Sequence, residues 1–521
     1  MITKIITAAA IAAAMLIPAK HALHMFQQNR YELGRLYKLI RESLPTAVNG
    51  AIVPLALSLI GFIAGLIFKG TLGWIIQLAI LVFMALYLYG TELKKSYIKP
   101  LVYTARVKRQ IAVMVVLAVL LIIAVMKAPA LYAVAAFLGP WLLIWPMALI
   151  TSPMEAAIRQ KYLNEAKAIL KDHKDLIKIG ITGSFGKTTT KNIMQAMISE
   201  QYNSLMTPAS YNTPMGITRT IREMLQPIHQ VFVCEMGADH VGDITELMEF
   251  VQPQIGVVTS VGPQHLNTFG SQENITREKM QMIELLPKDG FGILNYDNEF
   301  IRGYAVKNPV ETVTYGVTSR DTDYYADEIT YTASGSAFTV VHGDERVRLE
   351  TKLLGELNIL NILSAVACAR HLGVDWKVID RAVKTMKQVE HRLELKMING
   401  YRFIDDAFNA NPTGSAMALD VLSMMPGTRW IVTPGMIDLG AKQEEINKNF
   451  GRNMKGKADE VILVGKAQTK PIYEGLQEAG FDMDHVYVLD KVNEAFALIY
   501  SQADRNDTIL LENDLPDAFN H

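Results

Sequence analysis

A glycine-rich turn beginning at Thr182, T-G-S-F-G-K-T-T-T, combines the residue types that bind phosphate. Its two glycines allow backbone N–H groups to turn toward a phosphate. The lysine is then placed to reach the β- and γ-phosphates, and the next hydroxyl can bind Mg²⁺. Residue 181 is isoleucine, so the spacing departs from the common G-x-x-x-x-G-K-[ST] pattern. The predicted nucleotide contacts are Gly183, Ser184, Gly186, Lys187, Thr188 and Thr189.

The residues on either side of this turn predict a strand before it and a helix after it. I-K-I-G-I-T-G is an apolar, β-branched run that enters the first glycine. After the lysine, Ile193, Met194, Met197 and Ile198 recur with helical spacing. A strand–loop–helix unit directs the partial positive charge of the helix N-terminus at the phosphate.

Two further stretches contain candidate metal ligands. V-F-V-C-E-M-G-A is an apolar strand that ends in Glu235, whose carboxylate oxygens suit Mg²⁺. V-G-P-Q-H-L-N contains His265, which taken alone would more often be a structural histidine. Lys279, fourteen residues later, would by the same standard be an exposed helix lysine.

Taken together and in this order, the stretches resemble the Mur ligases, which build the peptide of bacterial cell-wall precursors. The loop T-G-S-x-G-K-T-T and the strand end E-M-G-A are similar to the nucleotide loop and the metal-binding strand of that family. The resemblance implies that His265 binds metal and that Lys279 is carbamylated by CO₂. Glu235, His265 and Lys279 would then hold Mg²⁺, with Thr188 on the ion of the nucleotide.

The C-terminal third continues the resemblance. L-N-I-L-N-I-L is similar to the helix that places an asparagine, here Asn361, at the adenine. D-D-A-F-N-A-N-P resembles the signature of the family members that add D-alanyl-D-alanine. By that resemblance Asp406 contacts the ribose and Arg392 the γ-phosphate, while Asn409 and Asn411 line the acceptor side of the cleft.

Four positions depart from the family pattern. Leu357 replaces a histidine near the nucleotide, and Gln281 replaces the glutamate of K-x-E. His391 replaces the glycine before the family arginine. Glu512 stands where the last strand of the family usually ends in K-G-S, which puts an acid where an anionic substrate would approach.

The resemblance implies an ATP-dependent ligase with Mg²⁺. A carboxylate attacks the γ-phosphate to give an acyl phosphate, and an amine then forms the amide. Lys187, His265, Lys279 and Arg392 are the expected catalytic residues. The implied substrates are a carboxylate-bearing cell-envelope precursor and an amino acid or dipeptide such as D-alanyl-D-alanine. The implied fold is α/β, with a P-loop central domain at residues 153–388 and a smaller Rossmann-like domain at 389–521.

The first 152 residues predict a helical transmembrane domain with about five spans. Apolar runs cover Ile5–Ile17, Ile52–Phe68, Leu72–Tyr89, Ile111–Met126 and Leu131–Ile150. Four are close to the 17–25 residues that a spanning helix needs, and the first is short enough to suggest a signal peptide as an alternative. This segment replaces the UDP-sugar-binding domain that precedes the family core, which suggests a lipid-linked acceptor as an alternative substrate.

Basic residues between the apolar runs predict the orientation. They are concentrated in residues 20–41 and 94–109, whereas the other two connections carry only Lys69 and Lys127. By the positive-inside rule the basic loops face the cytoplasm, so five spans place the ligase domains there. We therefore expect a multi-pass protein of the bacterial inner membrane, with membrane lipid as a partner; the basic loops could also bind an anionic head group.

The composition and motifs bear on the alternative functions of the chain. The formal net charge of −1 gives no bias toward nucleic acid. The two cysteines, Cys234 and Cys368, have no metal-ligand spacing and predict reduced core thiols. A P-loop transporter or sensor is disfavoured, because no charged residue interrupts the apolar runs. A catalytically inactive ATP-binding membrane scaffold is the remaining alternative, since several family positions are changed.

Overall fold

The computed structural model describes residues 2–42, 51–95, 97, 100–407, 411–437, 439 and 442–513. Within these residues the chain forms two compact units, Met1–Lys161 and Tyr162–His521. The first unit is helical, and the second contains two β-sheets with helices.

The first unit is a bundle of apolar helices. They are α1 (Ile2–Gln28), α2 (Leu33–Glu42), α3 (Ile52–Ile67), α4 (Gly70–Glu92), α5 (Ala105–Val125) and the start of α6 (Tyr132–Asp172). Among the described residues, four helical stretches are long and apolar enough to cross a membrane by length and composition, and they are Ile2–Gln28, Gly70–Glu92, Ala105–Val125 and Pro129–Asp172.

Two of the predicted apolar runs differ from the helices that contain them. The first run, expected to be short, is part of a helix of 27 residues, because the helix continues through Pro18 to Gln28. The second forms the shorter apolar helix α3, of 16 residues. Its Gly65 lies against the backbone of Ala130, where an added Cβ would come within 2.4 Å. A glycine is therefore required at this close approach.

The larger sheet of the second unit contains nine strands in the order β2-β3-β1-β4-β5-β6-β7-β8-β9. The neighbours from β2 to β7 are parallel, whereas β8 and β9 are antiparallel additions. The strands are β1 (Ile177–Thr182), β2 (Ser204–Met206), β3 (Val231–Glu235), β4 (Ile255–Val258), β5 (Phe291–Asn295), β6 (Glu311–Gly316), β7 (Tyr324–Thr332), β8 (Gly335–His342) and β9 (Glu345–Thr351).

Helices connect and cover these strands. They are α7 (Lys187–Ile198), α8 (Pro214–Met224), α9 (Asp243–Val251), α10 (Leu266–Phe269), α11 (Gln272–Glu284), α12 (Glu299–Arg302), α13 (Glu356–His371) and α14 (Trp376–Thr385). Strands β1, β3 and β4 are buried almost throughout, as their unbroken apolar sequences predict for a parallel sheet covered on both faces. Cys234 and Cys368 are buried free thiols within these layers.

The smaller sheet has six strands in the order β10-β11-β15-β12-β13-β14, all parallel except for β10. Its elements are β10 (Glu394–Ile398), β11 (Tyr401–Asp406), α15 (Pro412–Ser423), β12 (Arg429–Thr433), α16 (Gln443–Asn453), β13 (Glu460–Val464), α17 (Lys466–Ala479), β14 (Val486–Leu489), α18 (Val492–Gln502) and β15 (Thr508–Glu512). The last strand inserts between β11 and β12. The strand ends there form the crevice at which doubly wound sheets bind ligands.

Candidate active site

The glycine-rich turn joins β1 to α7, as the sequence predicts. Gly183 has φ +152°, and a Cβ there would lie 2.1 Å from Oγ1 of Thr259. Gly186 has φ +83°, a left-handed conformation that disfavours other residues, and it directly precedes α7. The turn is therefore held close to the β4 loop, with the N-terminus of α7 at its mouth.

Side chains in the turn fix its shape. The hydroxyl of Ser184 donates to the carbonyl of Gly262 at 3.1 Å and accepts from its N–H at 3.0 Å, so this side chain is used to join two loops. Nζ of Lys187 donates to the carbonyl oxygens of Gly183, at 2.6 Å, and Ser184, at 3.1 Å. The lysine thus folds over the turn. Thr189 is buried in the first turn of α7.

Burial lowers the pKa of Lys187 to about 8, and the charge of Arg392 acts in the same direction, while Glu235 opposes it. These interactions place Lys187 within electrostatic range of both residues. They belong to three different elements: the turn, the end of β3, and the segment between α14 and β10. A phosphate arriving here would meet two cations.

Glu235 ends β3 and is almost completely buried. Its Oε2 lies 3.0 Å from Nζ of Lys191, and its Oε1 accepts a hydrogen bond of 2.9 Å from Asn212. Burial alone would raise the pKa of this carboxyl group, but the charges of Lys191 and Lys187 outweigh it and lower the pKa. Glu235 is therefore an anion in a cationic pocket.

Lys279 is buried on α11 and faces the same region. Its Nζ donates to the carbonyl of Ala238 at 3.2 Å and lies 5.8 Å from the ring centroid of Phe269. Burial lowers its pKa to about 7, and the charge of Lys187 contributes. A lysine with this pKa is partly neutral at physiological pH, and a neutral amine is the form that reacts with CO₂.

His265 directly precedes α10, with a left-handed φ of +57°. Its carbonyl accepts from the N–H of Phe269, the residue whose ring lies near Lys279. The structure thus places His265 next to the short helix that contacts Lys279.

Asn361 lies on α13 and reaches the glycine-rich turn. Its Oδ1 accepts from the hydroxyl of Thr190 at 3.1 Å, and a Cβ on Gly186 would come within 2.9 Å of that oxygen. Its Nδ2 is buried and has no hydrogen-bond partner among the described residues. A donor oriented in this way suits an acceptor atom on a bound nucleotide.

The small sheet contributes two acids from adjacent strands. Asp406 ends β11 and is in register with Glu512 at the end of β15. Oδ1 of Asp406 accepts from the N–H of Leu393 at 3.1 Å, next to Arg392. Burial is the largest cause that lowers the pKa of Arg392, while the charges of Asp406, Glu235 and Glu512 oppose it. Arg392 therefore lies within electrostatic range of acids from both sheets.

The structure describes one of the two asparagines that were predicted to line the acceptor side of the cleft. Asn411 caps α15, its Oδ1 accepting from the N–H of Gly414 at 2.9 Å. Asn409 lies outside the described residues. In the first turn of α15, the hydroxyl of Ser415 donates to Oε1 of Glu512 at 2.6 Å. Asn411 therefore has a structural role in positioning the helix that contacts Glu512.

An open cavity of about 750 Å³ begins at this cluster. Thr188 and Arg392 lie at its walls, as does Gln195, whose buried Oε1 has no partner among the described residues. Ser210 and Met386 also line it. Thr188 and Arg392 thus give this cavity a hydroxyl and a cation in its wall.

Sequence reasoning did not identify Lys191 or Asn212 as site residues. Lys191 lies one helical turn after Lys187 on α7, so helical spacing could have indicated that both lie on the same side of the helix, where both charges act on Glu235. No comparable signal exists for Asn212, because its contact with Glu235 joins residues from different loops.

A buried parallel strand that ends in a glycine-rich turn, followed by a helix with a lysine at its start, defines a P-loop nucleotide-binding α/β protein. Sequence profiles agree with this class and refine it. Residues 181–369 match the Mur ligase middle domain, and residues 391–512 match the Mur ligase glutamate ligase domain. The chain belongs to the Mur ligase family and is MurF-like, which confirms the predicted resemblance.

Two curated relatives carry the same name, UDP-N-acetylmuramoyl-tripeptide--D-alanyl-D-alanine ligase. The protein from Escherichia coli K12 is 30% identical over 55% of this chain and 64% of its own length. That from Bacillus subtilis 168 is 29% identical over 67% of this chain and 75% of its own. This chain thus spans less than two-thirds of the E. coli relative.

The fold is also found in a solved structure, that of the MurF ligase from Thermotoga maritima in complex with ADP. It aligns with a TM-score of 0.62 and 22% identity, covering 68% of this chain and 80% of that one. The predicted α/β fold with Mur ligase middle and C-terminal domains is therefore confirmed.

Proposed function

We propose that the chain is an ATP-dependent ligase of the peptidoglycan-precursor type, which joins a carboxylate to the amine of an amino acid or dipeptide. The convergence of Lys187, Glu235 and Arg392 from three separate elements is the observation that carries this proposal. The names of the relatives suggest a UDP-N-acetylmuramoyl-tripeptide and D-alanyl-D-alanine as the substrate pair.

The proposed chemistry brings two anions together, a carboxylate and the γ-phosphate of ATP. The carboxylate oxygen attacks the γ-phosphorus to give an acyl phosphate and ADP, and the amine then displaces phosphate at the acyl carbon. Lys187 and Arg392 offset the repulsion, since the two cations are within electrostatic range of each other and Arg392 lines the cavity. No covalent nucleophile from the protein is needed. Positioning can contribute up to about 7–11 kcal/mol.

The nucleotide fits the residues at the turn. A Cβ would fill the cradle at Gly183, and the unpartnered Nδ2 of Asn361 lies beside the turn. The ADP bound by the T. maritima relative agrees with ATP as the nucleotide. Asp406, next to Arg392, is proposed as the ribose contact.

Magnesium fits the oxygen donors but not the unmodified lysines. Glu235 and Thr188 offer the oxygen ligands that Mg²⁺ prefers, whereas Lys187 and Lys279 add positive charge nearby. Carbamylation of Lys279 would replace that cation with an anionic oxygen ligand, and His265 is proposed to complete the set. When bound, Mg²⁺ would supply charge neutralisation at the phosphates.

We propose that the first unit spans the bacterial inner membrane and that the ligase domains are cytoplasmic. Both basic loops can face one side only if α3 and α4 cross as a hairpin. Nζ of Lys20 contacts Glu92, which pairs the later part of α1 with the end of α4 on that same side. Apolar side chains that point outward from these helices would face lipid, such as Phe62, Phe83 and Leu120.

A substrate screen by mass spectrometry tests the function. Full-length protein in detergent, with ATP and candidate pairs of acids and amines, should form ADP together with a new amide. Parallel assays with soluble and lipid-linked muramyl peptides separate the two acceptor classes. ATP hydrolysis that depends on no acid or amine would instead support an inactive ATP-binding scaffold.

A further inference from the structure

Two arginines at the start of α5 lie near one carboxylate of α6. Nε and Nη2 of Arg109 donate to the two oxygens of Glu155 at 2.7 and 2.8 Å. Glu155 is only 9% exposed and lies on α6, beyond the apolar part of that helix. Arg106 and Arg159 are within electrostatic range of each other beside this pair. Arg109 thus forms a bidentate pair with Glu155, and Arg106 lies farther from the same carboxylate.

Arg106 makes only a long ion pair with Glu155. Its Nε is 4.0 Å from Glu155, is buried, and makes no hydrogen bond to any described residue. The guanidinium carbon lies 3.9 Å from the ring centroid of Tyr31. Stacking on an aromatic ring orients a guanidinium group and leaves its edge available for a planar or tetrahedral anion.

The ring of Tyr31, over which Arg106 lies, is held in place by contacts of the turn after α1. Tyr31 adopts a left-handed φ of +62° after α1, and its hydroxyl accepts from Gln27 at 3.0 Å. The same Gln27 side chain bonds both backbone groups of Val102, at 2.8 and 2.9 Å. The turn after α1 is thus joined to the segment that leads into α5, so Arg106 is oriented before any ligand arrives.

In the proposed membrane orientation, the start of α5 lies at the level of the lipid head groups. Arg106 and Arg109 are in the first turns of α5, and the apolar run of that helix begins at Ile111. Just before them, Val102 and Tyr103 are more than half exposed. Nearby, α2 combines the basic residues Arg35, Lys38 and Arg41 with apolar ones, a pattern typical of helices at a membrane surface.

We propose that Arg106, which stacks on Tyr31, binds the phosphate of an anionic phospholipid on the cytoplasmic side, together with Arg109 and Arg159. Positive charge at the start of a span and exposed apolar side chains beside it match a phosphate that carries acyl chains better than a free phosphate ion. The inference rests on the membrane placement proposed above and is independent of ligase chemistry.

Native mass spectrometry of the full-length protein in neutral detergent tests the proposal. The probes are dioleoyl phosphatidylglycerol and dioleoyl phosphatidylcholine, titrated separately. We expect preferential binding of phosphatidylglycerol, weakened about fivefold by Arg106→Gln, the effect of losing one cation at a membrane surface. Lys127→Gln, which removes a charge at the opposite end of α5, is the matched control and should bind as the wild type does.

Glu155→Gln keeps the proposal falsifiable if Arg106→Gln folds poorly. Removing the carboxylate that competes for Arg109 should tighten phosphatidylglycerol binding, a gain that misfolding cannot produce. Equal binding of the two lipids, wild-type binding by Arg106→Gln in a folded protein, or displacement of the lipid by equimolar glycerol 3-phosphate would each overturn it. Carbonate extraction of membranes separately tests the membrane placement, and amide formation separately tests the ligase.

Discussion

The ammonium group of Lys191 lies 3.0 Å from Oε2 of Glu235, and both side chains are essentially inaccessible to solvent. The pair connects α7 to the end of β3 and orients the predicted metal ligand. Nζ of Lys191 also donates to the carbonyl of Ala209, so the loop after β2 depends on the same cation. A residue that sequence reasoning overlooked therefore holds together three elements of the site.

Lys191→Met should destabilise the ligase unit by about 3–5 kcal/mol, because it leaves the Glu235 carboxylate buried without its counter-charge. The double variant Lys191→Met, Glu235→Gln should recover much of this loss. Denaturant unfolding measures both. A single variant as stable as the wild type would show that the carboxylate finds another partner or becomes protonated.

Lys187→Met should lower amide formation by at least about 10²-fold, the usual effect of removing one preorganised charge at a transition state. ADP release and amide product are measured together at saturating ATP. Lys470→Met, at an exposed position on α17, is the control and should retain wild-type turnover. Equal activity of the two variants would exclude Lys187 from the chemistry.

Carbamylation of Lys279 should increase as pH rises through 7. With the pKa lowered to about 7, the neutral amine is roughly tenfold more abundant at pH 8 than at pH 6. ¹³C NMR with labelled bicarbonate should detect a carbamate signal that Lys279→Ala removes. A signal that persists in that variant would assign the modification to another lysine.

Glu512→Gln should raise the unfolding midpoint at pH 8 and change it little at pH 4.5. Burial raises the pKa of Glu512 well above its usual value, and burial raises the pKa of Asp406 to about 6. The folded state therefore keeps protons that the unfolded chain has already lost, and stability falls as pH rises through this range.

The neutral amide that replaces the Glu512 carboxylate in this variant cannot ionise beside Asp406. Its oxygen can still accept the hydrogen bond from the hydroxyl of Ser415. Thermal unfolding followed across this pH range provides the measurement. Destabilisation that is larger at pH 8 than at pH 4.5 would show that Glu512 is stabilising as an anion, contrary to the direction of its pKa.

Local sequence was sufficient for several parts of the site. Gly183 and Gly186 indicate a phosphate turn. A side chain at Gly183 would clash with Thr259, and the left-handed backbone at Gly186 disfavours other residues. The position of Glu235 at the end of an apolar run predicted its location at the carboxyl edge of a parallel sheet. Asn411 caps α15 through its Oδ1, and its predicted place on the acceptor side stays a prediction.

The sequence by itself determined the P-loop unit, the order of the family motifs and the apolar character of the first helices, because each depends on residues close together along the chain. Only the tertiary structure decided that Lys191 pairs with Glu235, that Asp406 lies in register with Glu512, and that Arg106 lies over Tyr31. These contacts join residues that are distant in sequence. Their geometry depends on how sheets and helices pack, and local patterns carry no information about that packing.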